Sequence, residues 1–290
     1  MVKPAMSNLL EELNPPQLQA VTHGAGPLLI LAGAGSGKTR VITRRIAYLM
    51  HHVGVSGRHI LGVTFTNKAA KEMQSRIQLL CGGHEIPLVT TFHALGARFL
   101  REEGHHLGFT SAFAIYDEAD SERLLKDIIK ELDLDDRRFS VKVLAQHIEH
   151  YKNRGEQPDD VVPSDTWSSS AVAVYRQYQH RLKLANALDF GDLLMQTVTL
   201  LKRFPSVLAH WQQRFQWILV DEYQDTNPIQ YELIKLLAGE QRNLCVVGDD
   251  DQSIYSWRGA DIRNILEFEF DFPGVTIIRL EQNYRSTMTI

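Results

Sequence analysis

The sequence predicts an α/β protein, a parallel sheet with helices on both faces, interrupted by an all-helical insertion. Two observations predict it. Toward both ends of the 290-residue chain, short apolar runs alternate with segments of helical period, the pattern of parallel strands joined by crossover helices. Between them, from about residue 117 to 204, helical periodicity runs alone and no buried strand stands out. Because strands resume afterwards, the α/β domain is expected to be discontinuous, built from 1–109 and 189–277 around a helical insertion at 110–188.

The elements follow in order. Residues 27–32 form an apolar run suited to a buried parallel strand. Residues 38–50 carry Val41, Ile42, Ile46 and Leu49 at helical spacing, and a strand at 60–65 leads into a helix at 68–80. Helices are expected at 121–132, 141–153, 171–185 and 189–203. The stretch 154–170, with Pro158, Pro163 and three consecutive serines, reads as a surface loop. Strands return at 217–220, 243–247 and 275–280.

The composition is that of a soluble globular protein, 44% hydrophobic and 23% charged. The apolar run 27–34 falls far short of the ~20 residues that cross a bilayer, so no membrane association is expected. Cys81 and Cys245 lie far apart, outside any metal-type spacing, and read as reduced packing residues of a cytoplasmic protein. The adjacent pairs His51-His52 and His105-His106 lack partner cysteines or helix-spaced acids, His147/His150 falls on a surface helix, and all read as solvated. A net charge of −4 argues against a nucleic-acid binder that works through a basic coat alone. Local motifs must decide the partner.

The run Ala32-Gly33-Ala34-Gly35-Ser36-Gly37-Lys38-Thr39 follows a strand and opens a helix, the context of a phosphate-binding P-loop. Small residues at Ala34, Gly35, Ser36 and Gly37 let backbone N–H groups curl around phosphates, and the helix N-terminus adds partial positive charge. Lys38 is expected to reach the β- and γ-phosphates and Thr39 to bind Mg2+ through its hydroxyl. Ala32 stands where the general pattern has its first glycine. Asp221, straight after the strand 217–220, fits as the Mg2+ partner, and Glu222 beside it as the group that orients and deprotonates the attacking water. A nucleoside triphosphate with Mg2+ is thus the expected ligand, and the motifs below identify it as ATP.

Further motifs choose among P-loop functions. Asp221-Glu222-Tyr223-Gln224-Asp225-Thr226-Asn227 resembles motif II, and Gly248-Asp249-Asp250-Asp251-Gln252-Ser253-Ile254-Tyr255-Ser256-Trp257-Arg258-Gly259-Ala260 resembles motif III, of superfamily 1 helicases of the UvrD/Rep/PcrA type. Thr64-Phe65-Thr66-Asn67-Lys68-Ala69-Ala70 resembles motif Ia, and Thr90-Thr91-Phe92-His93 the DNA-contact motif after it. Leu188-Asp189-Phe190-Gly191-Asp192-Leu193-Leu194 is similar to another family block, Leu280-Glu281-Gln282-Asn283-Tyr284-Arg285-Ser286-Thr287 to motif IV, and Leu13-Asn14-Pro15-Pro16-Gln17 to the adenine-reading Q motif. The blocks occur in family order, and motif III with the stretch 90–96 looks most like the Rep branch.

The resemblance implies a RecA-like P-loop NTPase domain, with 278–290 opening a second motor domain whose remainder lies beyond Ile290. It implies that Gln17 bonds adenine, Tyr284 stacks on it and Arg40 lies beside the nucleotide. Gln252 would sense the γ-phosphate, and Arg285 would place charge on it. Phe65, Phe92, Tyr255 and Trp257 fall in DNA-contact motifs as base-stacking rings. Thr64, Thr66, Asn67, Thr91 and His93 would meet the DNA backbone, while Lys68 and Arg258 add local charge.

The implied activity is ATP-driven 3′-to-5′ movement on single-stranded DNA with duplex unwinding, in replication or repair. Single strands, single/double-strand junctions and repair or replication proteins are the implied partners. Without the second motor domain, hydrolysis by this chain alone is expected to be weak. Two other readings share the motifs: a translocase that strips proteins from DNA, and a nucleotide-gated DNA- or protein-binding module of a repair complex. Lys38, Asp221 and Glu222 together argue against the latter, since a non-hydrolysing scaffold needs no water-positioning acid.

Overall fold

A computed structural model describes residues 7–82, 85–249 and 268–284. The chain forms two compact units, one from 1–92, 208–226 and 234–290, the other from 93–207 and 227–233.

The first unit is built on a six-stranded, all-parallel sheet. Its strands are β1 (Leu28–Ala32), β2 (Ile60–Thr64), β3 (Leu88–Thr91), β6 (Trp217–Val220), β7 (Leu244–Gly248) and β8 (Thr276–Leu280), in the order β3-β2-β6-β7-β1-β8. Every residue of β1, β2, β6 and β7 is buried, as both-face burial of central parallel strands requires. Edge strand β8 instead alternates, with Ile278 and Leu280 buried and Ile277 and Arg279 exposed.

On one face, Leu28, Ile30, Leu219, Cys245 and Val247 pack against residues from three helices. These are α2 (Pro15–Thr22), α3 (Lys38–Tyr48) and α4 (Asn67–Cys81), a short α1 (Ser7–Leu10) preceding them. The alternate residues Leu29, Val63, Ile218, Val220 and Val246 are buried as well, so both faces are covered. β8 runs through residue 278, where the sequence reading divides two motor domains. Ile278 and Leu280 there pair with Ile30 and Ala32 of β1.

Arg45 fastens α3 to the end of α2. Its side chain is 1% exposed and donates to the carbonyls of Ala20, His23 and Gly24 at 3.1, 2.7 and 3.2 Å. One guanidinium fork thereby satisfies carbonyls that the last turn of α2 leaves unpaired.

The second unit is helical. It holds α5 (Phe92–Glu103), α6 (Glu118–Glu131), α7 (Val141–Asn153), α8 (Thr166–Leu184) and α9 (Phe190–Arg203); α10 (Pro205–Arg214) and α11 (Pro228–Ala238) each pass between the units along the chain. Its core gathers Leu125, Ile128, Leu144, Ile148, Val174, Tyr175 and Tyr178.

Besides elements such as β3, α5, α10 and α11, which the sequence reading did not include, three details depart from it. Ser168, Ser169 and Ser170 lie in α8 and not in a loop, because Asp165 caps that helix in a reciprocal capping box with Ser168. The strand expected to be missing from the middle exists as a two-residue parallel pair, β4 (Ala114–Ile115) with β5 (Ala187–Leu188), too short to show a period. Helix α3 ends at Tyr48 and passes into a π-turn, Leu49–Val53, that closes on Gly54 with φ of 81°.

Gly96 shows how tightly the helices of this unit approach. A Cβ there would lie 2.4 Å from the backbone oxygen of Leu193 in α9. Gly96→Ala should destabilise the protein by ~1–3 kcal/mol despite alanine's better helix propensity. Thermal unfolding checks this, and an unchanged midpoint would show that the helices part freely.

Candidate functional site

The site is assembled at the carboxyl ends of three adjacent strands, β6, β7 and β1, where ligands of open α/β sheets gather. After β1 the chain turns through residues 33–37. Ser36 closes the turn, donating to the Gly33 carbonyl from both its backbone N–H (3.3 Å) and its hydroxyl (2.7 Å). Gly37 caps α3 with φ of 92°, a left-handed conformation that disfavours a side chain. A Cβ there would also stand 3.0 Å from the Gln17 amide nitrogen. No side chain caps α3, so its first-turn N–H groups face outward as an anion cradle.

Lys38 opens α3. Its Nζ lies 3.3 Å from Asp249 Oδ2, beyond the end of β7, and 3.6 Å from Glu222 Oε2, beyond the end of β6. Two carboxylates thus hold the ammonium that would otherwise meet phosphate oxygens. Asp221 is 6% exposed, and burial, reinforced by the charge of Glu222, pushes its carboxyl up to about 7. A buried carboxylate raised in this way is relieved by a cation. With the Thr39 hydroxyl it makes an all-oxygen donor set of the kind that suits Mg2+. Burial, with Glu222 again adding, raises Asp225 to about 6. The residues therefore fit a Mg2+-bound nucleoside triphosphate. Lys38 and the α3 N-terminus would hold its phosphates, Thr39 and Asp221 would hold the ion, and Glu222 would hold the water.

The Q-motif segment packs beside this loop. Gln17 is 1% exposed, donates to the Ser36 carbonyl at 2.9 Å and accepts from the Asn14 N–H at 3.2 Å. Its amide is thus used in bracing α2 against the phosphate loop. Asn14 donates to the Tyr284 hydroxyl at 2.8 Å, and the Tyr284 N–H donates to the Gly35 carbonyl at 3.0 Å. Tyr284, 52% exposed, is thereby held beside the phosphate loop. Arg40 is paired with Glu12 at 2.9 Å.

The expected DNA-contact residues divide. Phe65, partly exposed at the end of β2, rests against the Phe92 ring edge at 5.4 Å between centroids. Phe92 itself is 1% exposed, so its ring supports Phe65 and offers no face to a base. Thr64 is buried and bonded to the Thr66 carbonyl, Thr66 caps α4, and Asn67 and Lys68 are exposed on its first turn. Thr91 is nearly buried, and burial lowers the pKa of partly exposed His93. Gln252, Tyr255, Trp257, Arg258 and Arg285 lie outside the described residues.

Phe190 is an exposed aromatic that the sequence reading did not single out. It is 55% exposed on the first turn of α9, with the His93 ring edge 6.0 Å away. An aromatic directly after the N-cap Asp189, outside the core-facing stripe, was the available signal. The acid companion missing from His105-His106 is Glu103, and the ligand atoms of the three lie within 4.8 Å of one another on one turn. The His106 ring packs on Phe204 at 4.8 Å, which accounts for the grouping.

A profile of the UvrD/REP helicase N-terminal domain matches residues 13–273. The chain belongs to the UvrD/REP helicase family. It is 49% identical over 288 residues to the ATP-dependent DNA helicase PcrA of Staphylococcus aureus strain Mu50, and 48% identical to PcrA of Staphylococcus epidermidis RP62A. In both comparisons the match covers 98% of this chain and 40% of the relative's length. Among the described residues of this UvrD/REP family member, no helix is long and apolar enough to cross a membrane.

Proposed function

We propose that the whole protein is an ATP-driven motor that moves 3′ to 5′ on single-stranded DNA and unwinds duplexes in replication or repair. This chain supplies its first motor domain, 1–109 with 189–277, and the helical insertion 110–188. The observation that carries the reading is the meeting of Lys38, Glu222 and Asp249 at the ends of β1, β6 and β7. It joins a phosphate-binding lysine to the acid needed for hydrolysis. ATP and Mg2+ are the ligands, with roles as the motifs imply. Gln17 and Tyr284 serve the base, Arg40 stands beside the nucleotide, and Gln252 and Arg285 attend the γ-phosphate. Single-stranded DNA and its junctions with duplex are the partner, met by Phe65, Tyr255, Trp257 and Arg258 and by the polar ends of β2 and β3. The relatives, each named an ATP-dependent DNA helicase, support this activity, and we place it in the cytoplasm.

The chain spans 40% of the length of those relatives, so catalysis is assigned to the whole protein. An arginine contributed across the cleft is worth ~10³–10⁵ in rate for such chemistry, and turnover by the chain alone is expected to be correspondingly low. Steady-state ATP hydrolysis of the chain and of the whole protein, each with and without single-stranded DNA, tests the reading. Strong stimulation of the whole protein is expected, together with unwinding of duplexes bearing a 3′ tail over those bearing a 5′ tail. Hydrolysis indifferent to DNA would overturn the DNA motor.

A further inference from the structure

We propose that Gln224 is a positioning residue, a strut that ties the water-orienting carboxylate of Glu222 to the end of β7. A shift of the Asp249 backbone at the end of β7 is thereby passed to the hydrolytic site. The inference rests on the motor reading above and adds to it a residue with no assigned role.

Gln224 is 2% exposed and uses both ends of its amide. Its Nε2 donates to Glu222 Oε2 at 2.9 Å, and its Oε1 accepts from the Asp249 N–H at 3.0 Å. The partners set the orientation, because a flipped amide would face oxygen to carboxylate and N–H to N–H. Among the described residues this is the one side-chain hydrogen bond made by Glu222, whose carboxylate is 42% exposed and otherwise only ion-paired to Lys38.

The backbone is bent to make the link. Glu222 sits at φ of 51° and ψ of 43°, a left-handed conformation uncommon for a residue with a side chain. The 3₁₀ turn Tyr223–Asp225 then folds back. It is closed by the Asp225 N–H on the Glu222 carbonyl at 2.9 Å and by the Thr226 hydroxyl on the Tyr223 carbonyl at 2.7 Å. Fully buried Tyr223 anchors the turn, its ring edge-on to Phe268 at 5.6 Å. The turn therefore presents Gln224 to β7 and Glu222 to the phosphate loop.

Lys38 completes a ring, joining Asp249 and Glu222 by charge while Gln224 joins them by hydrogen bonds. Phosphate oxygens would draw Lys38 away, and Gln224 would remain as the link between the two strand ends. Asp249 leads directly into the stretch that holds Gln252, Tyr255 and Trp257. A displacement of the Asp249 backbone reaches Glu222 through one amide.

The test replaces Gln224 in the whole protein by methionine, which fills the space without bonding, and by glutamate, which cannot donate to Glu222 when ionised. Turnover and KM for ATP are measured with and without oligothymidylate, along with affinity for a non-hydrolysable ATP analogue and the thermal midpoint. In Q224M kcat should fall about 10- to 100-fold, the scale of a reacting group displaced by an ångström. Its KM and analogue affinity should stay near wild type, and its DNA stimulation should collapse toward one. Q224E should be slower still. Turnover and stimulation both close to wild type in Q224M would overturn the proposal. So would a loss of analogue affinity and thermal stability matching the loss of turnover, which would make Gln224 merely structural. A wild-type protein that hydrolyses no ATP would instead overturn the motor reading, an outcome distinct from any result with the variants.

Discussion

Glu222→Gln in the whole protein is expected to lower kcat for ATP hydrolysis by ~10²–10⁴-fold, the usual worth of a positioned general base. Nucleotide affinity should hardly change. The substitution preserves shape and can still accept from Gln224 Nε2, while Lys38 keeps its shorter contact to Asp249 at 3.3 Å. What it removes is the negative charge that draws a proton from water beside the phosphates. The same neutralisation removes the second cause of the raised Asp221 carboxyl, so Mg2+ binding is not expected to weaken. Steady-state turnover together with titration of a fluorescent ATP analogue checks both halves. Lys38→Met provides the contrast, losing affinity and turnover together because the cation meets the phosphates in the ground state as well as the transition state. A turnover within a few-fold of wild type in Glu222→Gln would assign the water to another acid, with Asp225 the nearest in sequence not already given to Mg2+.

Local signals carried far in this chain. The run 28–32 reads as a buried strand because each of its residues is apolar, and the phosphate turn reads from its glycines and Lys38. Asp221 and Glu222 follow a second such run, and the sheet order β6-β7-β1 brings those acids to Lys38. Non-local facts were not legible. Phe65 and Phe92 each follow directly on a strand of the sheet, yet only Phe65 keeps exposed surface, because burial depends on what packs above. The three serines of α8 look like loop residues until Asp165 is seen to cap them into a helix. Lys152 lies in a helix rich in polar residues, yet it is 1% exposed between two aspartates from α9 and its cap. A charge is legible in sequence, but its desolvation is not.

That buried cluster carries the largest stability effect expected outside the nucleotide site. Lys152 Nζ lies 2.7 Å from Asp189 and 2.8 Å from Asp192. The Tyr178 hydroxyl donates to Asp189 and the Gln179 amide to Asp192, each at 2.9 Å. Asp189 and Asp192 also form the capping box of α9, where negative charge suits the helix N-terminus. Burial works against ionisation of Asp189, but the charge and hydrogen bond of Lys152 overcome it and hold the group below its ordinary range. Burial and then the charge of Asp189 push Asp192 up to about 6.

Lys152→Met fills the space but leaves two buried carboxylates without their cation, a loss of ~3–5 kcal/mol. Thermal unfolding should register it as a drop on the order of 10 °C. The pH dependence identifies the cause. In the wild type, Asp192 is raised in the folded state, so its contribution to stability improves as pH falls through about 6 toward the ordinary carboxylate value. Without Lys152 both carboxylates rise, the folded variant takes up protons at higher pH, and its stability climbs more steeply on acidification. The gap between variant and wild type should therefore be wider at pH 8 than at pH 5.5. Adding Asp192→Asn should recover part of it at pH 8. A gap that is constant with pH would place the loss outside the two carboxylates, in the contacts of the ammonium with the Tyr175 and Tyr178 rings, whose centroids lie 5.9 and 5.1 Å from Nζ.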